Sequence, residues 1–196
     1  MIGRNSWQLL EGGLCVLLVM AGCATGPATL SLAPITPQRV SKPTGATIPT
    51  VTIAPLEDHR PQGNSLGNVG GRLFEANEPA KWIELELRAL SSSRFVCAGA
   101  EIDAVSTLTL RPRLLKAYVN SLDVAKTAVV VVEIDYVRND AAPETRVYRG
   151  QLTGANWAST KGEVENALRT ALKRCLAQVQ RDIETQLATA SETNEE

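Results

Sequence analysis

The chain has 196 residues, a formal net charge of −1 and an aromatic content of 4%. A nearly neutral chain without a basic cluster offers no electrostatic footprint for nucleic acid. The small number of aromatic rings also argues against a stacking platform for single strands. Nucleic-acid binding is therefore excluded as a function class.

The N-terminus has the pattern of a secretory signal. Arg4 precedes a short apolar run, which closes with the sequence LCVLLVMAGC over residues 14–23. A cation followed by a short apolar core that ends in small residues is typical of such a signal. A transmembrane helix needs about 20 apolar residues, and glycines at both ends of the run disfavour a buried helix. We therefore predict that residues 1–22 are a signal peptide that is removed.

The run ends in Met20-Ala21-Gly22-Cys23, which resembles the lipobox of bacterial lipoproteins. In that family the signal is cut before the cysteine, which carries a diacylglycerol thioether and usually a third acyl chain, often palmitate. Two or three chains hold a protein firmly to a membrane, whereas one chain binds marginally. The resemblance implies lipidation of Cys23. Because Ala24 follows in place of Asp, it also implies the periplasmic face of the outer membrane, for a Gram-negative source.

Residues 23–48 have the composition of a tether. Four prolines lie among Thr, Ser, Gly and Ala, so the segment buries too little apolar surface to offset its ordering entropy. About 25 such residues reach about 30 Å as a coil and about 75 Å as polyproline. An irregular stretch packed on the domain stays open for Leu30–Ile35. Residues 49–187 are predicted to form one globular domain, and residues 188–196 a disordered acidic tail.

Within residues 49–187 the hydrophobic pattern predicts the element order β-α-β-β-β-β-α. Pro79 is expected in the first turn of a helix, and Pro112 predicts that its strand is an edge, bulged or split in two. The predicted elements are a strand over Thr50–Leu56, a loop over Glu57–Gly71, a helix from Asn77 to Leu90, strands over Phe95–Ala98, Thr107–Val119, Thr127–Val137 and Arg146–Leu152, and a helix from Thr160 to Leu187.

The last helix has the clearest pattern. Thr160 and Glu163 have the spacing of a capping box, and apolar residues then recur every three or four positions to Leu187. Trp157, just before this box, either packs against the start of the helix or anchors a partner. The whole order predicts an α+β fold, a two-layer sandwich of a mostly antiparallel sheet with helices on one face.

Cys97 and Cys175 are the thiols that remain once Cys15 leaves with the signal and Cys23 is acylated. The periplasm is oxidising, and a disulfide between them would add about 4–5 kcal/mol of stability. The alternative is a pair of inert core thiols on separate layers. The sequence leaves both possibilities open, because it does not give the distance between the two Cα atoms.

The sharpest polar cluster is Asp58-His59-Arg60. His59 is the only histidine, and the sequence has neither the Cys and His spacings of a metal site nor the G-x-S-x-G of a hydrolase. We therefore expect no catalytic residue, metal or cofactor. Asp58 and Arg60 either fix the turn after the first strand or pair with a partner protein. Gly67 opens a Gly-Asn-Val-Gly-Gly stretch that lacks the Lys of a phosphate loop, which indicates a flexible connector with positive φ angles.

In its order of signal, tether and domain, the chain resembles the YajG-type family of small bacterial lipoproteins. The residues that carry this resemblance are Val51–Arg60, Leu66-Gly67-Asn68, Trp82 with Leu85 and Leu90, Arg146–Gly150, and the closing helix. The domain is also broadly similar to modules of other envelope lipoproteins, including auxiliary lipoproteins of lipid-transport ABC systems. Neither resemblance implies catalytic residues.

The function expected from the sequence is that of a non-enzymatic, lipid-anchored module that binds another envelope component, a protein. Asp58, Arg60 and Gly67, together with a sheet edge near Pro112, are the predicted binding surface. The alternative is an auxiliary subunit that handles lipid or lipopolysaccharide. A concave apolar cleft between helix and sheet would favour that alternative, and a packed core would count against it.

Overall fold

The computed structural model describes residues 26–33, 48–99, 108–122, 124–138, 142–156 and 159–192. The strands are β1 (Ala28–Leu30), β2 (Thr50–Ile53), β3 (Glu57–Asp58), β4 (Ser65–Val69), β5 (Arg72–Ala76), β6 (Val96–Gly99), β7 (Leu108–Leu122), β8 (Ala125–Val137) and β9 (Glu144–Ala155). The helices are α1 (Pro79–Arg88) and α2 (Lys161–Glu192). The predicted α+β class is confirmed.

One mixed sheet is organised around the long strand β7. On one side β7, β8 and β9 form an antiparallel meander, with Leu114 opposite Val132 and Val132 opposite Tyr148. On the other side β7 pairs in parallel with β2, then β3, then β4. β6 lies beyond β2, and β5 and β1 lie beyond β4. The meander is the antiparallel part of the sheet that the alternating pattern of β8 predicts.

β7 is continuous through Pro112 and has partners on both sides. Its register against β8 shifts between Leu114 and Lys116. Of the three possibilities that Pro112 left open, the structure therefore shows a bulge. The bulge follows the proline by two residues, and it locally bends the strand.

Both helices lie on one face of the sheet. Arg169 on α2 places its guanidinium carbon 6.0 Å from the ring centre of Trp82 on α1. On β9, a Cβ added to Gly150 would lie 1.8 Å from the carbonyl oxygen of Ala171. The α2 backbone therefore lies directly on the sheet. At the start of α2, the Glu163 N–H donates to Thr160 Oγ1 at 3.3 Å, which confirms that half of the capping box.

The predicted tether is wrong at Ala28–Leu30, which form β1. This strand pairs in parallel with β5, and Ala28 and Leu30 are buried. The Ser31 N–H then donates to the Glu165 carboxylate at 2.8 Å. The physical reason is that an Ala-Thr-Leu alternation, too short to predict a strand alone, pairs with the open edge of β5.

Two further boundaries differ from the prediction. The segment Glu57–Gly71, predicted as a loop, contains β3 and β4, because both strands pair with β7. The Gly and Asn residues of the segment give no sign of this pairing in the sequence. α2 continues through residues 188–192, which were predicted as part of the tail. The predicted signal, Cys23 and Trp157 lie outside the described residues.

Candidate functional site

Asp58 and Arg60 form a bidentate ion pair at the start of the loop between β3 and β4. Arg60 Nε donates to Asp58 Oδ1 at 2.9 Å, and Nη2 donates to Oδ2 at 2.7 Å. Nη2 also donates to the Gly63 carbonyl at 2.5 Å. The Arg60 side chain is 4% exposed, and its guanidinium donates hydrogen bonds to Asp58 and to the loop backbone. The first of the two predicted roles, fixing the turn, is the one that this geometry supports.

The charge of Asp58 is stabilised by its partner. Burial alone raises the pKa of Asp58, but the hydrogen bonds from the side chain and backbone of Arg60 lower it by more. The pKa of the carboxyl therefore lies below its ordinary value. An ionised carboxylate with a bidentate arginine gives the loop a fixed shape.

Gly67 allows β4 to lie against β7. Its φ angle is 99°, and a Cβ built there would lie 2.0 Å from the Val119 carbonyl oxygen. The predicted positive φ is confirmed at this position. Any side chain would push β4 away from β7 and open the loop that Asp58 and Arg60 hold.

A cleft of about 400 Å³ lies beside β7, between β3 and β4. It arises because the ladder on this side of β7 stops at Leu114 and resumes at Val119. The chain leaves the sheet after β3 and returns to it with β4. The lining residues are Arg60, Pro61, Gln62, Ser65, Gly67, Asn68 and residues 115–120. The structure thus brings Arg60 and Gly67 to one cleft. Asp58 does not line this cleft but is hydrogen-bonded to Arg60.

Polar side chains stand at the rim of the cleft, while most of its lining surface is apolar. Gln62, Asn68, Lys116 and Asn120 are exposed, and the ring of Tyr118 is half-buried among them. Amide groups both donate and accept hydrogen bonds, and the Lys116 ammonium donates them. These β7 residues were not predicted as a site. Their alternation of polar and apolar residues is typical of a half-exposed strand. The sequence pattern does not predict the bulge near them.

A second polar cluster joins β8, β9 and α2, and sequence reasoning missed it. The hydroxyls of Tyr136 and Tyr148 lie 2.6 Å apart, and the Tyr148 hydroxyl donates to Asp182 Oδ2 at 2.7 Å. Arg146 Nη1 donates to the same oxygen at 2.8 Å. The one available signal was a pair of tyrosines at inward positions of neighbouring strands.

The protonation of this cluster follows from its burial and its bonds. Burial raises the pKa of Tyr136 and of Tyr148 above the ordinary value, so both hydroxyls keep their protons. Burial also raises the pKa of Asp182, but the hydrogen bonds from Tyr148 and Arg146 lower it by more. An ionised Asp182 therefore accepts from two donors, and the cluster fastens α2 to β9.

His59 lies on the surface rather than in the cleft. Its Nε2 is 3.1 Å from Glu57 Oε2, and half of its side chain is exposed. Across the described ranges, no group of three or more His, Cys, Asp and Glu residues has the geometry of a metal site. Within the same ranges, no helix is long and apolar enough to cross a membrane.

Cys97 and Cys175 are free thiols in the structure, so the disulfide, one of the two alternatives, is not formed. β6 carries Cys97, while Cys175 on α2 packs on β9, with its Sγ 3.6 Å from the Tyr148 carbonyl oxygen. Four inter-strand steps separate β6 from β9, roughly 19 Å, whereas bridged Cα atoms lie within about 7 Å. Burial raises the pKa of each thiol to about 12, which makes both poor nucleophiles.

No family model matches this chain, and no curated protein matches it in sequence. Solved structures do resemble it. A Xanthomonas campestris protein of family DUF330 is 12% identical over 87% of this chain and 100% of that chain, with a TM-score of 0.55. A hypothetical protein from Chlamydia trachomatis is 9% identical over 72% and 96%, with a TM-score of 0.49. A candidate lipoprotein from Caulobacter crescentus is 13% identical over 71% and 91%, with a TM-score of 0.39.

The likeness to the Xanthomonas protein shows a shared fold. That protein is aligned over its whole length. Membership of the YajG-type family stays a prediction, because none of these structures is described by that name.

Proposed function

We propose that the protein is a lipid-anchored, non-enzymatic accessory module of the bacterial cell envelope. The anchor is supported by the signal pattern and by the lipobox that ends at Cys23. Ala24 supports the finer placement on the periplasmic face of the outer membrane. Acyl chains on one cysteine hold the protein to a membrane without a spanning helix.

The observation that carries a binding role is the cleft beside β7. Its wall is a loop fixed by the Asp58–Arg60 pair, so the cleft is formed before a partner arrives. Its rim offers amide donors and acceptors, an ammonium group and the Tyr118 ring. Tyrosine is enriched at protein interfaces, and a preformed site loses little entropy on binding. We infer that the partner is a protein segment whose polar backbone or side chains meet this rim.

The lipid-handling alternative has less support. It requires an apolar cleft between helix and sheet, but the contact of Gly150 with Ala171 leaves no gap there. The apolar side chains of α2 that face the sheet, such as Leu168 and Val179, are fully buried. The cleft beside β7 has no helical residue in its lining. A packed core of this kind counts against a lipid cavity between the layers.

Site-specific photo-crosslinking in intact envelopes tests the binding role. A benzoylphenylalanine at Asn68 or at Lys116 is expected to give one discrete adduct. The same group at Arg149, exposed on β9 two strands away, is the matched control and should give none. The Lys116→Glu variant should reduce the Asn68 adduct to the control level, because it reverses the charge of the rim. Equal labelling from all three positions would refute the proposed binding surface.

Metabolic labelling tests the anchor independently. The wild-type protein should incorporate labelled palmitate and should keep its signal in the presence of globomycin. The Cys23→Ser variant should incorporate no palmitate and should keep its signal whether or not globomycin is present. A processed, unlabelled wild-type protein would show that the signal is an ordinary secretory one.

A further inference from the structure

β1 fixes the place where the N-terminal segment leaves the domain. Ala28 and Leu30 are 2% and 4% exposed and are paired with β5, so the domain begins at Ala28 rather than after a long tether. Ala28 is five positions after Cys23. A fully extended chain spans about 3.6 Å per residue, so this connection is at most about 18 Å long. If Cys23 carries the lipid, the domain is held within that distance of the bilayer.

The strand registers show which end of the domain is held there. Ala28 is opposite Phe74 on β5, and the start of β5 is paired with the end of β4. The end of β4 lies beside Asn120 on β7. Gly70, after β4, donates its N–H to Ser121 Oγ at 2.8 Å. The chain before Ala28 therefore leaves at the end of the sheet where β7 turns into β8.

This end carries the most exposed apolar side chains of the described residues. Leu122 is 77% exposed and Val124 is 80% exposed, and they flank the turn between β7 and β8. Leu73, at 40%, lies two strands away near the same end. The exposed cations Arg72 and Lys161 also lie at this end, at the starts of β5 and α2. Apolar side chains together with cations are the combination that binds an anionic membrane surface.

We propose that the turn between β7 and β8 rests on the phospholipid bilayer that holds the Cys23 lipid, with Leu122 and Val124 in the interface. This proposal rests on the lipidation given under the proposed function. The bilayer is the binding partner expected for this surface, because the short connection and its exit point place Leu122 and Val124 close to the bilayer. Asp123 lies between them in sequence, and a carboxylate is not readily taken into hydrocarbon. The turn therefore enters no deeper than the boundary between the headgroups and the acyl chains.

Quenching by brominated phospholipid tests the proposal on the lipidated protein. The protein is extracted from envelopes and reconstituted into phosphatidylethanolamine–phosphatidylglycerol vesicles with brominated acyl chains. The fluorescence that L122W adds to that of Trp82 and Trp157 should be quenched by about twofold, because a side chain that enters the interface reaches the acyl boundary. V147W is the matched control, since Val147 is a 58% exposed apolar residue on β9. Its fluorescence should be unchanged.

Flotation of the same vesicles distinguishes a missing lipid anchor from a missing membrane contact. A protein that does not float lacks the anchor, which overturns the lipidation and this proposal with it. A protein that floats while L122W and V147W are quenched equally little keeps its anchor and overturns the membrane contact alone. An L122W signal that shifts with protein concentration but not with brominated lipid would assign the surface to a second copy, which also overturns it.

A spacer variant tests whether the short connection matters. Insertion of a flexible Gly-Ser segment of about 20 residues between Ala24 and Pro27 lets the domain move about 25 Å from its anchor. The quenching of L122W should then fall to the level of V147W while flotation persists. Undiminished quenching would show that the connection does not hold the turn at the membrane.

Discussion

The Asp58–Arg60 pair and the tyrosine cluster differ in the length of chain that separates their members. Asp58 and Arg60 are two residues apart and give one loop its shape. Tyr136, Tyr148 and Asp182 come from three elements and fasten α2 to the sheet. The local cluster shapes the wall of the cleft beside β7, whereas the distributed cluster joins the two layers. We therefore expect changes near α2 to unfold the domain, and changes near Asp58 to alter the cleft at little cost in stability.

The largest loss of stability is expected from Gly150→Ala. The added Cβ would lie 1.8 Å from the Ala171 carbonyl, so α2 has to move away from β9 and from the tyrosine cluster. Overpacking of this kind should lower the free energy of unfolding by about 3 kcal/mol. Gly154→Ala is the control on the same strand, since nothing lies within 4 Å of its added Cβ. Urea denaturation of both variants measures the difference, and equal midpoints would contradict the packing of α2.

Tyr148→Phe should have the next largest effect. It removes the hydroxyl that joins Tyr136 to Asp182 and leaves both groups without that partner. The free energy of unfolding should fall by about 2 kcal/mol. Tyr118→Phe on β7 removes a hydroxyl outside the cluster and should change stability little. Similar losses in the two variants would show that the cluster does not fasten α2.

Acid should weaken the distributed cluster through Asp182. The pKa of Asp182 is lower in the folded protein than its ordinary value, so its stabilisation is present at neutral pH. That stabilisation is lost as the pH falls below about 4 and passes through the folded pKa. Asp182→Asn should therefore be less stable than wild type at pH 7, with the two curves converging in acid. Parallel curves from pH 7 to pH 2 would count against an ionised Asp182.

Asp58→Asn should cost about 1 kcal/mol or less, because the carboxylate that it removes is partly exposed. Its main effect should be on the cleft, since Arg60 loses its bidentate partner and the loop loses its fixed shape. The adduct from Lys116 should decrease in this variant while thermal unfolding changes little. Unchanged cross-linking would show that the Asp58–Arg60 pair does not shape the binding surface.

Reductant should have the smallest effect of all. Cys97 and Cys175 are unbridged, and β6, which carries Cys97, is four strand steps from β9, on which Cys175 packs. Dithiothreitol should therefore leave the melting temperature unchanged, and a double Cys→Ala control should respond to it identically. A lower melting temperature with reductant would restore the disulfide alternative.

The features that the sequence predicts well are those whose evidence is local. α2 follows from its apolar period and its capping box, and β8 follows from its alternation of apolar residues with Glu133 and Asp135. The Asp58–Arg60 pair is visible because its members are near neighbours. β1, β3 and β4 were missed because each is short and is stabilised by a partner far along the chain. The tyrosine cluster was missed for the same reason, since Asp182 meets Tyr148 only after α2 has packed on β9.

The position of β7 has a consequence for how the domain folds. β2, β3 and β4 are made before β7, yet each of them needs β7 as its neighbour. The meander from β7 to β9 and α2 closes over shorter stretches of chain, so it should form first. A chain synthesised from its N-terminus onward thus exposes β2, β3 and β4 before β7 can join them. The edges of these strands that β7 later covers are exposed to aggregation until then.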